Sequence, residues 1–442
     1  MAASAANAKA KKAGFDMAEL DYTQVTMTTY ASDVSGAASA LYELGGMTVI
    51  HDASGCNSTY STHDEPRWET MNSAVYVSAL NEMDAVLGNE EALEASLSAA
   101  VRSLKPAFTA LAGTIIPMMT GSDLKGIARR VEEETGRTAF ALSTNGMRPY
   151  SVGAAQAWIE LARHFVAAPE ADWPEGGDGS VNLLGATPLD FSVCGELDAI
   201  EDLLESAGIA VNACWAMGSS LEALAASRRA SLNLVLSSAG LPLAQVFARH
   251  FGMPFAVGLP LGKAEADAWL QTVQTALDRT ASAGFPLPEE ALDLSHAIGR
   301  APQSLPHAAA AAARILVIHE PLRAVEMARA LEERLGLAAL PMSALPPLGL
   351  GSPQLASELS EDQFEALFSL ARDGAAARGE PEPVVVGDPL FASVARRAGL
   401  ERFVNLPHEA ASGRIWRHDA PNVFTEGGWE ALLEAVHRQL VI

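Results

Sequence analysis

Arg314-Ile315-Leu316-Val317-Ile318-His319-Glu320-Pro321-Leu322-Arg323-Ala324-Val325-Glu326-Met327-Ala328-Arg329-Ala330-Leu331-Glu332-Glu333-Arg334-Leu335-Gly336-Leu337 sets out the pattern that recurs along the chain. The apolar run over Arg314–His319 reads as a buried strand, and Leu322–Leu335 carries apolar residues at helical spacing. Gly336 then supplies a left-handed cap before the chain turns into the next strand.

Working outward, the same alternation returns. Met47–His51, Ala107–Met118, Thr138–Leu142, Val181–Gly185, Ile209–Ala213, Leu232–Leu236 and Val384–Gly387 read as further buried strands. Between them Glu90–Leu104, Leu124–Thr135, Ala154–Phe165, Glu196–Ser206, Leu241–Phe251, Ala264–Ala281 and Phe364–Ala377 have helical spacing. The capping glycine recurs in Glu134-Thr135-Gly136-Arg137 and Ala207-Gly208-Ile209. Strands alternating with longer helices predict βαβ units, an α/β fold with parallel sheets flanked by helices.

Two stretches break the alternation. Ala171-Asp172-Trp173-Pro174-Glu175-Gly176-Gly177-Asp178-Gly179 continues neither helix nor strand, and Ile298–Pro306 precedes an alanine run. They divide the chain into three Rossmann-like units, at 25–172, 178–300 and 305–442, behind a flexible tail at 1–24. The length, 442 residues, suits more than one core.

Apolar residues make up 49% of the chain and charged ones 19%, as expected of a packed globular protein rather than a disordered one. The formal net charge of −24 repels phosphate backbones and anionic lipid, and the one small basic run is Lys9, Lys11 and Lys12. Neither nucleic acid nor a membrane is expected as a partner. No apolar stretch is long enough to span a bilayer, and the first residues lack the apolar segment of a secretory signal. Three cysteines, Cys56, Cys194 and Cys214, are too few and scattered for a disulfide framework, so a cytoplasmic setting is expected.

The densest polar segment follows the first strand: His51-Asp52-Ala53-Ser54-Gly55-Cys56-Asn57-Ser58-Thr59-Tyr60-Ser61-Thr62-His63-Asp64. Ligands of open α/β sheets bind outside the carboxyl ends of strands, where this loop must lie. Gly55 lets the backbone turn tightly beside Cys56, whose thiolate is a soft ligand for an iron–sulfur cluster or zinc. Two other readings stand beside it: a free cysteine packed under a loop, and a Cys56/His63 zinc pair. Cys194 opens a helical pattern and Cys214 ends a strand; with no paired thiol or nearby histidine, both read as structural.

There is no Gly-x-Gly-x-x-Gly after a strand, no Gly-Lys-Ser/Thr phosphate loop, no Gly-x-Ser-x-Gly and no Cys-x-x-Cys. A dinucleotide site, ATP hydrolysis and serine-hydrolase chemistry find no support. A late loop, Asn405-Leu406-Pro407-His408-Glu409-Ala410-Ala411-Ser412-Gly413-Arg414-Ile415-Trp416, follows a short strand. His408 there can serve as ligand or proton donor, or simply as a hydrogen-bonded loop residue.

On these loops, and on Ser35-Gly36 through Gly46-Met47, Val49–Cys56, Asn81-Glu82-Met83-Asp84-Ala85-Val86-Leu87-Gly88-Asn89-Glu90, Ile116-Pro117-Met118-Met119-Thr120-Gly121-Ser122-Asp123 and Pro407–Arg414, the chain resembles the nitrogenase component 1 family. The matches run in order over residues 30–420. The family embraces subunits of the molybdenum–iron protein, scaffold subunits of cofactor assembly, and subunits of dark protochlorophyllide and chlorin reductases. The resemblance implies three Rossmann-like domains. It also implies an iron–sulfur cluster, of [4Fe-4S] type, ligated by Cys56 at the interface with a homologous component 1 subunit, in a homo- or heterodimer or a tetramer. Electrons would come from a separate ATP-dependent iron–sulfur reductase. His408 and Arg414 would face a substrate or metallocofactor, with Gly55, Asp52 and His51 supporting the cluster loop.

The chain departs from that pattern. Tyr22–Leu44 and Ala107–Asp123 lack the additional interface cysteines of the family, and Leu236-Ser237-Ser238 lacks the thiolate that holds the molybdenum cofactor. No molybdenum cofactor is expected. One Cys56 per chain gives a homodimer two thiolates where a cluster takes four, so a partner with more cysteines, or Asp52 and His51, would have to complete the set. Three readings follow: an oxidoreductase subunit acting on a small or tetrapyrrole-like substrate, a non-catalytic scaffold for metallocluster assembly, and a degenerate partner subunit.

Overall fold

The computed structural model describes residues 30–53, 57–166, 176–283, 306–349, 355–356 and 358–441. Gly55, Cys56, the tail at 1–24 and most of the two boundary stretches lie outside these residues.

The strands are β1 (Met47–His51), β2 (Ala74–Val77), β3 (Thr109–Gly113), β4 (Ala139–Leu142), β5 (Val181–Leu184), β6 (Val211–Trp215), β7 (Leu232–Val235), β8 (Phe255–Val257), β9 (Ile315–Ile318), β10 (Ala339–Met342), β11 (Val384–Gly387) and β12 (Phe403–Asn405). The longer helices are α1 (Asp33–Leu41), α2 (Glu90–Leu104), α3 (Leu124–Thr135), α4 (Tyr150–Leu161), α5 (Glu196–Ser206), α6 (Leu241–Phe251), α7 (Gly262–Ala283), α8 (Pro321–Leu335), α9 (Glu361–Ala377) and α10 (Glu426–Val441).

All strand pairs are parallel, and they form three four-stranded sheets ordered β2-β1-β3-β4, β6-β5-β7-β8 and β10-β9-β11-β12. The inner strands β1, β3, β5, β7, β9 and β11 are buried on both faces, which is why they read as unbroken apolar runs. Gly136 and Gly336 are left-handed caps of α3 and α8, as their positions in the sequence required. The α/β fold with parallel sheets flanked by helices is the observed one.

The run Ala107–Met118 is not one strand. β3 stops at Gly113, and Ile115–Thr120 forms a short helix after the extended Thr114. Pro117 sits in that helix's first turn, where its missing N–H costs nothing. The helix looks strand-like in sequence because Ile115, Ile116, Met118 and Met119 all face outward. β6 also starts two residues later than its apolar run implied, at Val211.

α1 packs against α4 with small residues between them. A Cβ on Gly36 would lie 1.9 Å from the Tyr150 carbonyl oxygen, and one on Gly153 would lie 1.7 Å from that of Asp33. The Asp33 carboxylate, fully buried, accepts from the Asn145 and Gly146 amides and pairs with Arg148. One apolar cluster then runs through all three sheets, with Phe108 and Trp158, Trp215 and Phe247, and Val317 and Trp429 packed in it, while other faces of the first and third sheets have clusters of their own.

A buried ion cluster locks the first sheet's surroundings to the second. The Arg67 guanidinium donates through Nε and Nη2 to Glu65 (2.7 and 2.9 Å), through Nη1 to Glu43 (2.6 Å) and the Ala216 carbonyl (3.1 Å), and through Nη2 to the Ser39 carbonyl (2.7 Å). All five of its N–H groups are thereby used. Glu43 also accepts from the Gly218 amide, just past β6. No helix among the described residues is long and apolar enough to cross a membrane.

Candidate functional site

Each sheet changes direction between its first and third strands, so a crevice opens at the carboxyl ends of β1/β3, β5/β7 and β9/β11. The last two crevices meet. Asp190 follows β5, Ser238 follows β7, His319 and Glu320 follow β9, Asp388 follows β11 and His408 follows β12. The Ser238 amide donates to Glu320 across the junction (2.7 Å).

His408 stands at the centre and is 1% exposed. Its amide donates to the Asp388 carboxylate (2.8 Å), which also accepts from the Ser412 hydroxyl. Its carbonyl receives the amides of Ala411, Ser412 and Gly413, so the late loop winds directly on this residue. Nε2 lies 3.1 Å from Asp190 and 3.3 Å from the Tyr150 hydroxyl, which itself donates to Asp190. The ring stacks on His319, with centroids 4.4 Å apart, and meets the Tyr30 ring edge-on at 5.1 Å. Arg323 is the cation beside this network; it pairs with Glu196 (2.9 Å) and lies over the rings of Phe191 and Phe424.

Burial controls the ionisation here. His319 Nδ1 accepts from the Glu320 amide (2.8 Å), so its proton resides on Nε2. Burial, helped by the charges of His408 and Arg323, pushes the His319 pKa far down, and the ring stays neutral. Burial pushes Glu320 up, with Asp190 adding to the effect, and it pushes Glu196 up against the pull of Arg323. Nε2 of His319, Nδ1 of His408 and the Tyr30 hydroxyl are buried with no hydrogen-bond partner among the described residues. Orphaned polar atoms each cost about 1–3 kcal/mol, so three at one junction mark a place built for more than packing.

A pH dependence follows with a definite sign. Unfolded His319 takes up a proton as the pH falls through about 6.5, whereas the folded ring does not, so its contribution to stability is lost below that pH. Glu196 and Glu320, with raised folded values, act oppositely: their contribution holds in acid and is lost as the pH rises above the ordinary carboxylate range. In His319→Asn, which keeps an acceptor for the Glu320 amide, the loss below pH 6.5 is expected to be shallower by about 1.4 kcal/mol per pH unit. Urea unfolding at pH 7, 6 and 5 measures this; parallel curves for the two proteins would dismiss it.

The two loops singled out in the sequence close on one cavity of about 270 Å³. Tyr60, His63 and Asp64 come from the loop after β1, Glu409 and Ala410 from the loop after β12, and Tyr30 joins the cavity to the His408 network. Glu409 is held by Arg417 (2.9 Å) and by the Ser192 hydroxyl (3.1 Å). Cys56 and Gly55 belong to the first loop but lie outside the described residues, as does the side chain of Arg414. The His51 ring is bonded to the Ser78 hydroxyl (2.8 Å), and Asp52 accepts from the Ala53 amide (2.8 Å). His63 meets Trp68 edge-on. No group of three or more His, Cys, Asp or Glu among the described residues is arranged to hold a metal ion. The described side chains therefore do not by themselves make a cluster site.

Cys214 is buried and its thiol is pushed far up by burial. Cys194 corrects the expectation of no nearby histidine: it is exposed, and folding brings its sulfur 3.9 Å from His418 Nδ1, a residue 224 positions away.

Tyr30, Tyr150, Asp190, His319 and Glu320 were not singled out in the sequence. The available signal was position: polar residues directly after apolar strands, at His319-Glu320 and Asp190. Glu320 is masked as a helix cap, since it also accepts from the Leu322 and Arg323 amides.

The chain is similar to proteins of known family. The chain is 29% identical over 189 residues to the nitrogenase iron-molybdenum cofactor biosynthesis protein NifE of Sinorhizobium fredii, covering 41% of this chain and 36% of that protein. It is 28% identical over 263 residues to a light-independent protochlorophyllide reductase subunit of Methylobacterium sp., covering 56% and 48%. It thus spans about half or less of these curated relatives. Among solved structures, "Nitrogenase Cp1 at pH 6.5" superposes with a TM-score of 0.62 at 14% identity, over 95% of this chain and 93% of that one, a likeness of fold. The family model for nitrogenase component 1 type oxidoreductases matches residues 32–345, and the chain belongs to that family.

Proposed function

We propose that the chain is an oxidoreductase subunit of the component 1 type, acting in the cytoplasm on a small or tetrapyrrole-like molecule. In this reading a homologous subunit pairs with it, an ATP-dependent iron–sulfur reductase supplies electrons, and Cys56 contributes one ligand to a cluster completed largely by the partner. The observation that carries it is the convergence of the loop after β1 and the loop after β12 on one cavity, with the His408 network behind it. Part of the same proposal is that the chain divides into three Rossmann-like domains near 172–178 and 300–305.

The outward surface beside the first loop supports pairing. The helices Glu82–Leu87 and Ile115–Thr120 touch each other and expose Met83, Val86, Leu87, Ile115 and Met119. Ile115 and Tyr60 both approach Gly146, so this apolar face adjoins the loop. Exposed apolar patches of this kind mark interaction sites, and methionine suits a surface that must adapt to a partner.

Within the cavity, the chain's own residues have plain tasks. Tyr30 and Glu409 shape the wall, and Asp190 with Tyr150 orients His408. A second reading, a degenerate or scaffold subunit, is favoured by one feature: His408 is closed off at 1% exposure.

Anaerobic purification alone and with a homologous subunit, followed by iron and sulfide counting, tests the proposal. Iron is expected in the paired protein and is expected to be lost in Cys56→Ala, with reductase-dependent turnover abolished. Iron retained in the variant rejects Cys56 as a ligand. Iron present without turnover supports the scaffold, and iron absent throughout leaves the degenerate partner.

A further inference from the structure

His408 can act on a ligand or substrate only if its ring points in a set direction, and its own torsion does not set one. Rotation about the bond between Cβ and an imidazole is broad and roughly two-fold, so the orientation has to come from neighbours. The backbone of His408 is fixed by the Asp388 carboxylate on its amide (2.8 Å) and by the loop amides on its carbonyl. At the ring tip, Nε2 has Asp190 at 3.1 Å and the Tyr150 hydroxyl at 3.3 Å. These contacts hold one atom and leave the plane of the ring free to tilt about it.

The plane is set by His319. The two rings are stacked, with centroids 4.4 Å apart and 26° between their planes. Tyr30 (5.1 Å, 66°) and Tyr150 (6.0 Å, 83°) stand further off and meet His408 edge-on. Turning the His408 ring about its Cβ bond would drive an edge into the face of His319, which is 1% exposed and closely packed.

His319 is itself anchored. Its Nδ1 accepts from the Glu320 amide (2.8 Å), and a backbone amide can only donate, so the tautomer follows from the chain. Glu320 caps α8 by accepting from the Leu322 and Arg323 amides (2.9 Å each), and it reaches the Ser238 amide after β7 (2.7 Å). The shelf under His408 is thereby tied to α8 and to the second sheet. Burial keeps the His319 ring uncharged, so it does not repel His408 when that ring gains a proton, and an aromatic face attracts a cation. His319 thus has two separable tasks: Nδ1 satisfies an amide, and the face of the ring holds its neighbour.

We propose that His319 is the positioning residue of His408: the face of its ring, not its hydrogen bond, keeps His408 Nε2 on Asp190 and so aims the other nitrogen, Nδ1, which has no partner among the described residues. The inference rests on the reading of His408 as the group that serves the substrate. His319 acts through His408 and touches no substrate itself.

NMR of the intact chain, labelled with 15N-histidine, gives the readout. The Nε2–H of His408, held by Asp190, is expected as a sharp ring N–H signal, identified by its loss in His408→Gln. Three changes at position 319 separate the two tasks. His319→Phe keeps the flat face and lacks the acceptor, His319→Asn keeps the acceptor and lacks the face, and His319→Leu lacks both. The signal is expected to persist in His319→Phe and to vanish into exchange with water in the other two; His319→Leu decides the matter where His319→Asn does not fold. A parent protein without the signal, persistence in His319→Asn or His319→Leu, or loss in His319→Phe overturns the inference. Reductase-dependent turnover of the paired protein is expected to be roughly ten- to a hundredfold lower in His319→Asn than in His319→Phe, and equal turnover in the two also overturns it. No turnover in the parent would reject the redox reading and leave the N–H result standing.

Discussion

Gly153→Ala is expected to destabilise the protein, the opposite of what helix propensity dictates, and Gly153→Val to prevent folding. An alanine in mid-helix ordinarily gains about 1 kcal/mol over glycine. Here α1 and α4 touch backbone to backbone, and a Cβ at 153 would sit 1.7 Å from the Asp33 carbonyl oxygen. That oxygen cannot swing aside, so the helices must separate, and α1 is buried along its whole length. Overpacking costs typically 1–3 kcal/mol, and occasionally more. The valine is expected to exceed roughly 4 kcal/mol, at the extreme of single substitutions. Gly427→Ala is the control: a Cβ there meets nothing within 4 Å, and the change is expected to be neutral or stabilising by up to ~1 kcal/mol. Soluble yield and thermal unfolding by circular dichroism decide the matter. A Gly153→Ala protein as stable as the parent would show that the two helices are not in contact.

The second large effect lies at Arg67. Arg67→Met removes the cation that Glu65, fully buried, shares with Glu43 and the Ala216 carbonyl. Deleting one side of a buried ion cluster costs about 3–5 kcal/mol, because carboxylates are left without compensation. The urea midpoint is expected to fall accordingly. The triple change Arg67→Met, Glu65→Gln, Glu43→Gln should recover part of the loss, since it removes the stranded charge along with the cation. If the triple variant is no better than the single one, the cost lies in the lost packing on Tyr42, over whose ring the guanidinium sits at 5.1 Å.

How much of this was legible depended on burial. The inner strands, apolar throughout, were plain in the sequence. β2, β8 and β10 were not, because each lies at a sheet edge and is partly exposed. β10 also contains Pro341, which only an edge tolerates. α1 was missed for a different reason: Asp33-Val34-Ser35-Gly36-Ala37-Ala38 has no amphipathic stripe, since all its sides are covered. At the candidate site, the polar loop after a short strand marked His408. Its companions did not show, because Asp190, His319 and Tyr150 are far apart in sequence and become one network only when the second and third sheets turn their strand ends together. The Cys194–His418 approach was hidden by the same distance.

The backbone contact between α1 and α4 has a bearing on how the chain is made. Synthesis proceeds from the amino end at about 5–20 residues per second, and α1 leaves the ribosome more than a hundred residues before the partner it must rest on. Until Tyr150–Leu161 emerges, a helix that is buried along its whole length lacks the neighbour it approaches most closely. The nascent protein therefore passes through an interval of several seconds in which chaperone capture competes with self-association, and slowing translation between the two helices would lengthen it.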